Sequence, residues 1–304
     1  MKNKYCKLGI NHHLIFPGVL NDAKYHIESL SLLLEQDSFQ IIDMSLPDDR
    51  EIRSEEVKML KSSGKKVIYN FPLFCLGSDR YDVNSPEKSV RLATLEEAKK
   101  HLLYAVEAET DTVTFAAGGF KEGISLEAQI NNFIEYSILF NEEAKKLGIT
   151  ALLEPFDRSI GKNLILGKAA ECVDYIEALH KSGCENIALM QDMGHIPLIG
   201  ESFEETLNKC KPYLKHIHLG NCVMKDKESI YYGDTHPPLG IDGGENDMPQ
   251  LIAFTKALKD IGYIFKGSDN SVTIEMQPYP GVSSLTSAKV AAEKFESALS
   301  AVFD

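Results

Sequence analysis

Apolar runs of strand length alternate with longer stretches of helical period along the whole chain. CKLGIN is followed by an amphipathic stretch over 22–36, FQIIDMS by one over 52–63, and KKVIYNFP by a polar loop (77–86) and a long helical segment over 87–107. TVTFAAGG leads into 125–147, where Ser125 is placed to cap the helix and Gly148 to end it. In the second half ITALLEP precedes a helix over 164–182, NIALMQD a shorter one over 203–210, YLKHIHLGN one over 248–261 after a long insertion, and SVTIEMQ one over 283–299. Parallel neighbours need helical crossovers, so eight strand–helix repeats without a large compositional break predict an α/β fold, a (β/α)8 TIM barrel forming a single domain over 1–304. The alternative is an open doubly wound sheet. No GxGxxG fingerprint follows any strand, and Gly118 and Gly119 alone cannot cradle a pyrophosphate.

With 304 residues, 43% of them hydrophobic, the chain can bury one large core, and α/β barrels commonly reach roughly 250 residues as one unit. Loops that follow strands carry the chemistry in such a barrel. The longest span 73–86 and about 220–247, and the second is too rich in Gly, Pro, Asp and Asn for core, so both are read as lids. A formal net charge of −13 opposes attraction to nucleic acid and to anionic membrane surfaces, which leaves a small molecule as the expected partner. There is no signal-peptide pattern and no run of about 18 apolar residues, so a cytoplasmic location is expected. The six cysteines form no CxxC pair and read as reduced, structural thiols. Association into a homo-oligomer stays open.

Glu154, Asp192, His218 and Glu275 each stand near the end of one of the last four strands. Every strand of a closed parallel barrel delivers its C-terminal end to one face, so these side chains are expected to converge there as ligands of one divalent metal ion. Three carboxylates and an imidazole suit Mn2+, the expected ion, or Co2+, Mg2+ or Zn2+, better than Cu(I). Glu154 precedes Pro155, and a carboxylate at that strand end is costly unless paired, either with a cation or with Arg158. Asp192 and His195 share the turn QDMGHIPLIGE and are within reach of one cavity. His216 and His218 alternate with Ile217 and Leu219, so both imidazoles face the barrel axis, His218 nearer the mouth and His216 a layer deeper.

LLEPFDR, QDMGHIPLIGE, KHIHLGN and TIEMQP make the whole chain resemble the xylose isomerase-like barrels, a family of sugar phosphate isomerases and epimerases that includes the ketose 3-epimerases. The resemblance implies that Glu154, Asp192, His218 and Glu275 hold one divalent metal ion, that Glu154 and Glu275 also form the acid–base pair on opposite faces of a sugar, and that His195 holds a substrate oxygen. Arg158 and His236 are further expected substrate contacts. A metal-dependent sugar isomerase or epimerase acting through a metal-stabilised enediolate is the implied activity. The chain departs from the epimerase pattern at Ile160, where a second substrate-binding Glu often stands, and at 221–224, where a basic residue is usual. That departure keeps a lyase or dehydratase on an oxidised sugar or cyclic keto acid as the alternative. An endonuclease IV-like phosphodiesterase and a non-catalytic binding protein follow behind.

Overall fold

The eight apolar runs form the strands β1 (Lys7–Asn11), β2 (Ile41–Met44), β3 (Lys66–Asn70), β4 (Thr112–Ala116), β5 (Thr150–Glu154), β6 (Ile187–Asp192), β7 (Leu214–Leu219) and β8 (Ser271–Ile274). In a computed structural model that describes residues 4–74 and 80–304 they close into one barrel in chain order. Each strand is parallel to its neighbours, and β1 closes the ring against β8. Both faces of such strands are covered, which is why IIDM and IALMQD are buried at every position.

Among the described residues ten α-helices accompany the strands: α1 (His12–Ile15), α2 (Ala23–Leu34), α3 (Arg50–Ser63), α4 (Lys88–Glu107), α5 (Leu126–Lys146), α6 (Ala169–Lys181), α7 (His195–Ile199), α8 (Phe203–Cys210), α9 (Met248–Asp260) and α10 (Ser284–Phe303). Local chemistry sets their ends. The Asp49 carboxylate accepts from the backbone of Glu51 and Ile52, and the Ser125 and Ser283 hydroxyls accept from Ala128 and Thr286. Gly148, at φ 70°, supplies the left-handed residue that stops the chain after α5.

Two features differ from the sequence expectation. The helix expected from residue 164 begins at Ala169, because Leu164, Ile165 and Leu166 are fully buried in an extended segment. Their backbone is used elsewhere: Ile165 N–H donates to Gly118 O, and Leu166 O accepts from Phe156 N–H. The short helices α1 and α7 had no periodic signal, since one turn is too brief to show a period. Residues 75–79 of the loop expected over 73–86, with Cys75, lie outside the described residues. The remaining five cysteines are buried thiols without a disulfide among the described residues. No helix among the described residues is long and apolar enough to cross a membrane.

The core lies mainly between the strands and the helices. Phe140 of α5 is 1% exposed and meets the rings of Phe71 after β3 and Phe115 of β4 edge-on or tilted, with Tyr136 stacked beside it. Replacing Phe140 with Ala should cost about 3–5 kcal/mol, measured by denaturant unfolding. A loss below about 1 kcal/mol would show that this contact does not hold the helical layer to the barrel.

Candidate metal centre

β5 to β8 run side by side, so a residue at the C-terminal end of each reaches the same mouth. Asp192 pairs in register with His218, and His218 with Thr273, two residues before Glu275. One ligand atom each from Glu154, Asp192, His218 and Glu275 lies within 4.8 Å of the others, and Asp192, His218 and Glu275 are 0%, 1% and 6% exposed. His218 Nδ1 is 2.5 Å from Glu275 Oε2, 3.7 Å from Glu154 Oε1 and 3.9 Å from Asp192 Oδ2. Three buried carboxylates around one imidazole are poorly compensated by protein groups alone, and the buried Asp192 Oδ2 has no hydrogen-bond partner. A hard divalent cation suits both the donor set and the orphaned oxygen.

The other side of each ligand is held by the protein. His218 Nε2–H donates to Asp43 Oδ2 at 2.8 Å, so Nδ1 is the nitrogen that faces the three carboxylates. Asn11, at the end of β1, donates to Glu275 Oε1 at 2.8 Å. The backbone N–H of Gly194 donates to Asp192 Oδ1. Asp192 fits only because Gly220 has no side chain: a Cβ there would sit 2.4 Å from Asp192 Oδ1.

A second group adjoins the first and shares Asp192. Asp192, His195 and His236 also present ligand atoms within 4.8 Å of one another. His195 begins α7, where its Nδ1–H donates to Pro155 O at 2.9 Å and its ring lies 4.4 Å from that of Phe156. Its Nε2 therefore points inward, 3.3 Å from Asp234 Oδ1 and 4.0 Å from Asp192 Oδ2. His236 Nε2 is 3.0 Å from the same Asp234 oxygen, while its Nδ1 lies 3.7 Å from Asp192 Oδ2 and 3.9 Å from Glu275 Oε2. His195 Nε2, His236 Nδ1 and both oxygens of Asp234 are buried without a hydrogen-bond partner.

Both His236 and Asp234 come from the long segment after β7. Asn221 and Asn246 stitch that segment together: Asn221 Oδ1 accepts from the backbone of Cys222 and Asn246, and Asn246 Nδ2 donates to Met193 O and Gly220 O. His236 adopts φ 51°, a left-handed conformation that costs a non-glycine residue of order 1–3 kcal/mol. Gln277, just past β8, offsets that cost by donating from its backbone to His236 O and from its side chain to Thr235 O, both at 2.7 Å.

Of the residues singled out in the sequence, Glu154, Asp192, His195, His218, His236 and Glu275 meet at one mouth. Arg158 does not join them. Its guanidinium donates to Glu171 of α6 at 2.7 Å and to Ile165 O at 2.8 Å, and no ion pair with Glu154 forms among the described residues. The extended run after Asn163 is what draws it away, since it puts the Ile165 carbonyl beside Arg158. His216 lies deeper on the same strand face as His218, as expected. Asp43, Asp234, Asn11 and His13, whose Nδ1 is buried and unpartnered, were not anticipated. Two of them left a trace: Asp43 is the one polar residue in IIDM, and Asp234 stands two positions before His236.

Burial and mutual charge set the protonation of the mouth. Burial pushes the Asp192 carboxyl from 3.8 up to about 7. Burial would lower His236, but Asp234 and Glu275 override it and raise the ring from 6.5 to about 9. Burial opposes the charge of Glu275 too, yet His218 and His236 hold this carboxyl well below its usual range. Both raised groups make the metal-free folded state bind more protons than the unfolded chain. The Asp192 contribution falls as pH rises from about 4 to 7, and that of His236 is present below 6.5 and lost as pH rises through about 9. Chelator-treated protein should therefore melt at progressively lower temperature between pH 6 and 9, and a divalent ion should raise the melting temperature more at pH 9 than at pH 6. A flat or rising profile for the chelated protein would contradict this electrostatic account. Replacing Gly220 with Ala should cost about 1–3 kcal/mol through overpacking against Asp192, read by the same melts.

A family profile described as xylose isomerase-like TIM barrel matches residues 34–298. Among solved structures, D-psicose 3-epimerase from Clostridium cellulolyticum H10, with D-tagatose, superposes with a TM-score of 0.67 at 17% identity, over 97% of this chain and 98% of that one. The 3-keto-D-glucoside 4-epimerase from E. coli gives 0.68 at 14% identity, over 97% and 99%. An IOLI protein with a bound zinc atom gives 0.72 at 14% identity, over 98% and 99%. At these identities the structural likeness speaks for the fold, and the profile match carries the assignment: the chain belongs to the xylose isomerase-like TIM barrel family.

Proposed function

We propose that the protein is a divalent-metal-dependent isomerase or epimerase of a sugar or sugar derivative, working by proton transfer next to a carbonyl. The observation that carries this reading is the meeting of Glu154, Asp192, His218 and Glu275 at the barrel mouth. The family membership and the epimerases among the structural neighbours support the carbohydrate class, and the zinc of the IOLI protein supports a metal. A bound divalent ion supplies Lewis acidity that polarises a carbonyl and its neighbouring hydroxyl and acidifies the adjacent C–H. Mn2+ is the proposed ion, with Co2+, Mg2+ and Zn2+ as alternatives.

Glu154 and Glu275 reach the centre from β5 and from the end of β8, and we assign them the removal and return of the proton on the two faces of the sugar. Asn11 fixes Glu275 Oε1, which turns Oε2 toward His218 and the centre. His195 Nε2 and His236 Nδ1 are the proposed contacts for substrate oxygens, since both are buried and unpartnered. The segment over 220–247 acts in this scheme as a wall that brings Asp234 and His236 to the site and excludes water. Arg158 holds the extended run before α6 through Ile165 O and Glu171. The cations nearest the site are engaged: Lys162 lies 3.6 Å from Asp234 Oδ2 and Arg158 pairs with Glu171. That favours an unphosphorylated substrate.

One observation favours a second reading. The group of Asp192, His195 and His236, with Asp234 between the two imidazoles, is a donor set for a second ion beside the first, and paired ions suit hydrolytic phosphodiester chemistry. A net charge of −13 opposes a DNA substrate.

Incubation of Mn2+-loaded protein with ketoses, keto-glycosides and cyclic keto acids in D2O, followed by NMR, tests the first reading. Deuterium should enter at the carbon next to the carbonyl, and product analysis should separate inversion from loss of a leaving group. Glu275→Gln should abolish the exchange, by a factor of about 100 or more. No deuterium in any member of the panel, together with two tightly held ions per chain and cleavage of a phosphodiester, would replace the proposal with the second reading.

A further inference from the structure

Asp43 is a fully buried carboxylate on β2, well away in sequence from every other residue of the centre. A buried charge without partners is among the most costly groups a fold can contain, so its contacts are informative. Oδ2 accepts from two imidazoles of β7, His218 Nε2 at 2.8 Å and His216 Nε2 at 2.9 Å. Oδ1 accepts from the Thr273 hydroxyl of β8 at 3.0 Å. Every donor is itself arranged by the barrel. Thr273 reaches Asp43 because β1 carries Gly9 beside it, where a Cβ would sit 2.3 Å from the Thr273 hydroxyl oxygen. His216 is turned the same way by Ser271, whose hydroxyl lies 2.6 Å from its Nδ1. With Ser271 donating to Nδ1, His216 carries its proton on Nε2, where Asp43 receives it.

This column has one outlet toward the mouth, and that outlet is His218. An imidazole whose Nε2–H is committed to a carboxylate can ligate an ion only through Nδ1, and Nδ1 is the atom facing Glu154, Asp192 and Glu275. We infer that Asp43 is the positioning residue of the centre: it commits His218 to donate from Nε2 and aims Nδ1 at the ion, while His216, Ser271, Thr273 and Gly9 serve to hold Asp43. The inference rests on the metal reading proposed above. A carboxylate behind a ligating imidazole also makes the ring a stronger donor, so the effect of Asp43 is expressed in ion affinity before it is expressed in turnover.

The test compares wild type, Asp43→Asn and Thr273→Val by two measurements. The first is ion affinity, from titration of the metal-free protein with Co2+ followed by its visible absorption and checked by competition with a chelator. Asp43→Asn should bind about 10–100-fold more weakly. Thr273→Val removes one neutral donor in a near-isosteric side chain, and should bind about 5-fold more weakly. The second measurement needs no metal: downfield imidazole N–H resonances of 15N-labelled protein. In wild type these should include the Nε2 protons of His216 and His218, each on the Asp43 carboxylate, and Asp43→Asn should shift both upfield or lose them to exchange.

Equal ion affinity in wild type and both variants would overturn the role of Asp43, as would wild-type spectra in which His218 shows no Nε2–H bonded to a carboxylate. If Asp43→Asn does not fold, Thr273→Val decides: unchanged affinity and unchanged resonances in that variant refute the inference. If wild type itself binds no ion although both downfield protons are present, the metal reading falls while the Asp43 contacts stand, so the two failures are told apart.

Discussion

The mouth of this barrel buries Asp192, Asp234, Glu275 and, one layer below, Asp43, with Glu154 half-buried beside them, and the rest of the site is arranged around keeping so many carboxylates out of water. Each is answered by a group from a different strand or loop. His218 stands between Asp43 and Glu275, His216 bonds Asp43, and His195 and His236 flank Asp234. Desolvation penalises each charge singly, so removing any one partner strands another. The arrangement still leaves Asp192 Oδ2, His195 Nε2 and His236 Nδ1 unpaired and pointing into one space, which is what a site for a cation and a polar ligand requires.

Such density of charge is possible only because the strands hide their polar faces inward at one end and their apolar faces outward. The outward faces carry the core with the helices, where rings such as Phe71, Phe115 and Phe140 meet. Room at the axis comes from small residues. Gly9 admits the Thr273 hydroxyl, and Gly220 with Gly194 admits the Asp192 carboxylate. Glycine here serves as empty volume more than as a flexible hinge, since none of these three has a positive φ.

Loops complete what strands begin. Asp157, just after β5, accepts from the backbone N–H groups of Ser159, Ile160, Gly161 and Lys162, folding that segment into a tight knot. Gly161 brings the knot against Asp234: a Cβ there would lie 2.7 Å from the Cβ of Asp234. The segment after β7 is likewise held, by Asn221 and Asn246, and presents His236 in a conformation the chain would not adopt unaided.

Periodicity was enough to read the eight strands, the long helices and the barrel, because burial on both faces writes a strand as a short apolar run and a helix as a longer amphipathic one. It also placed Glu154, Asp192, His218 and Glu275 together, since position at a strand end is a one-dimensional property that a parallel barrel converts into one location. His195 and His236 were legible as polar residues in loops after strands, with no indication of which atoms they would present. Arg158 turns to Ile165 O and Glu171 because residues 164–166 stay out of the helix and offer it a carbonyl, which nothing local says. The roles of Asp43, Asn11 and Asp234 were decided by the tertiary structure, whatever trace Asp43 and Asp234 leave in the sequence. Their partners lie 175, 264 and 39 residues away in the contacts with His218, Glu275 and His195, and contacts across such separations depend on barrel closure and loop path, which no local pattern encodes.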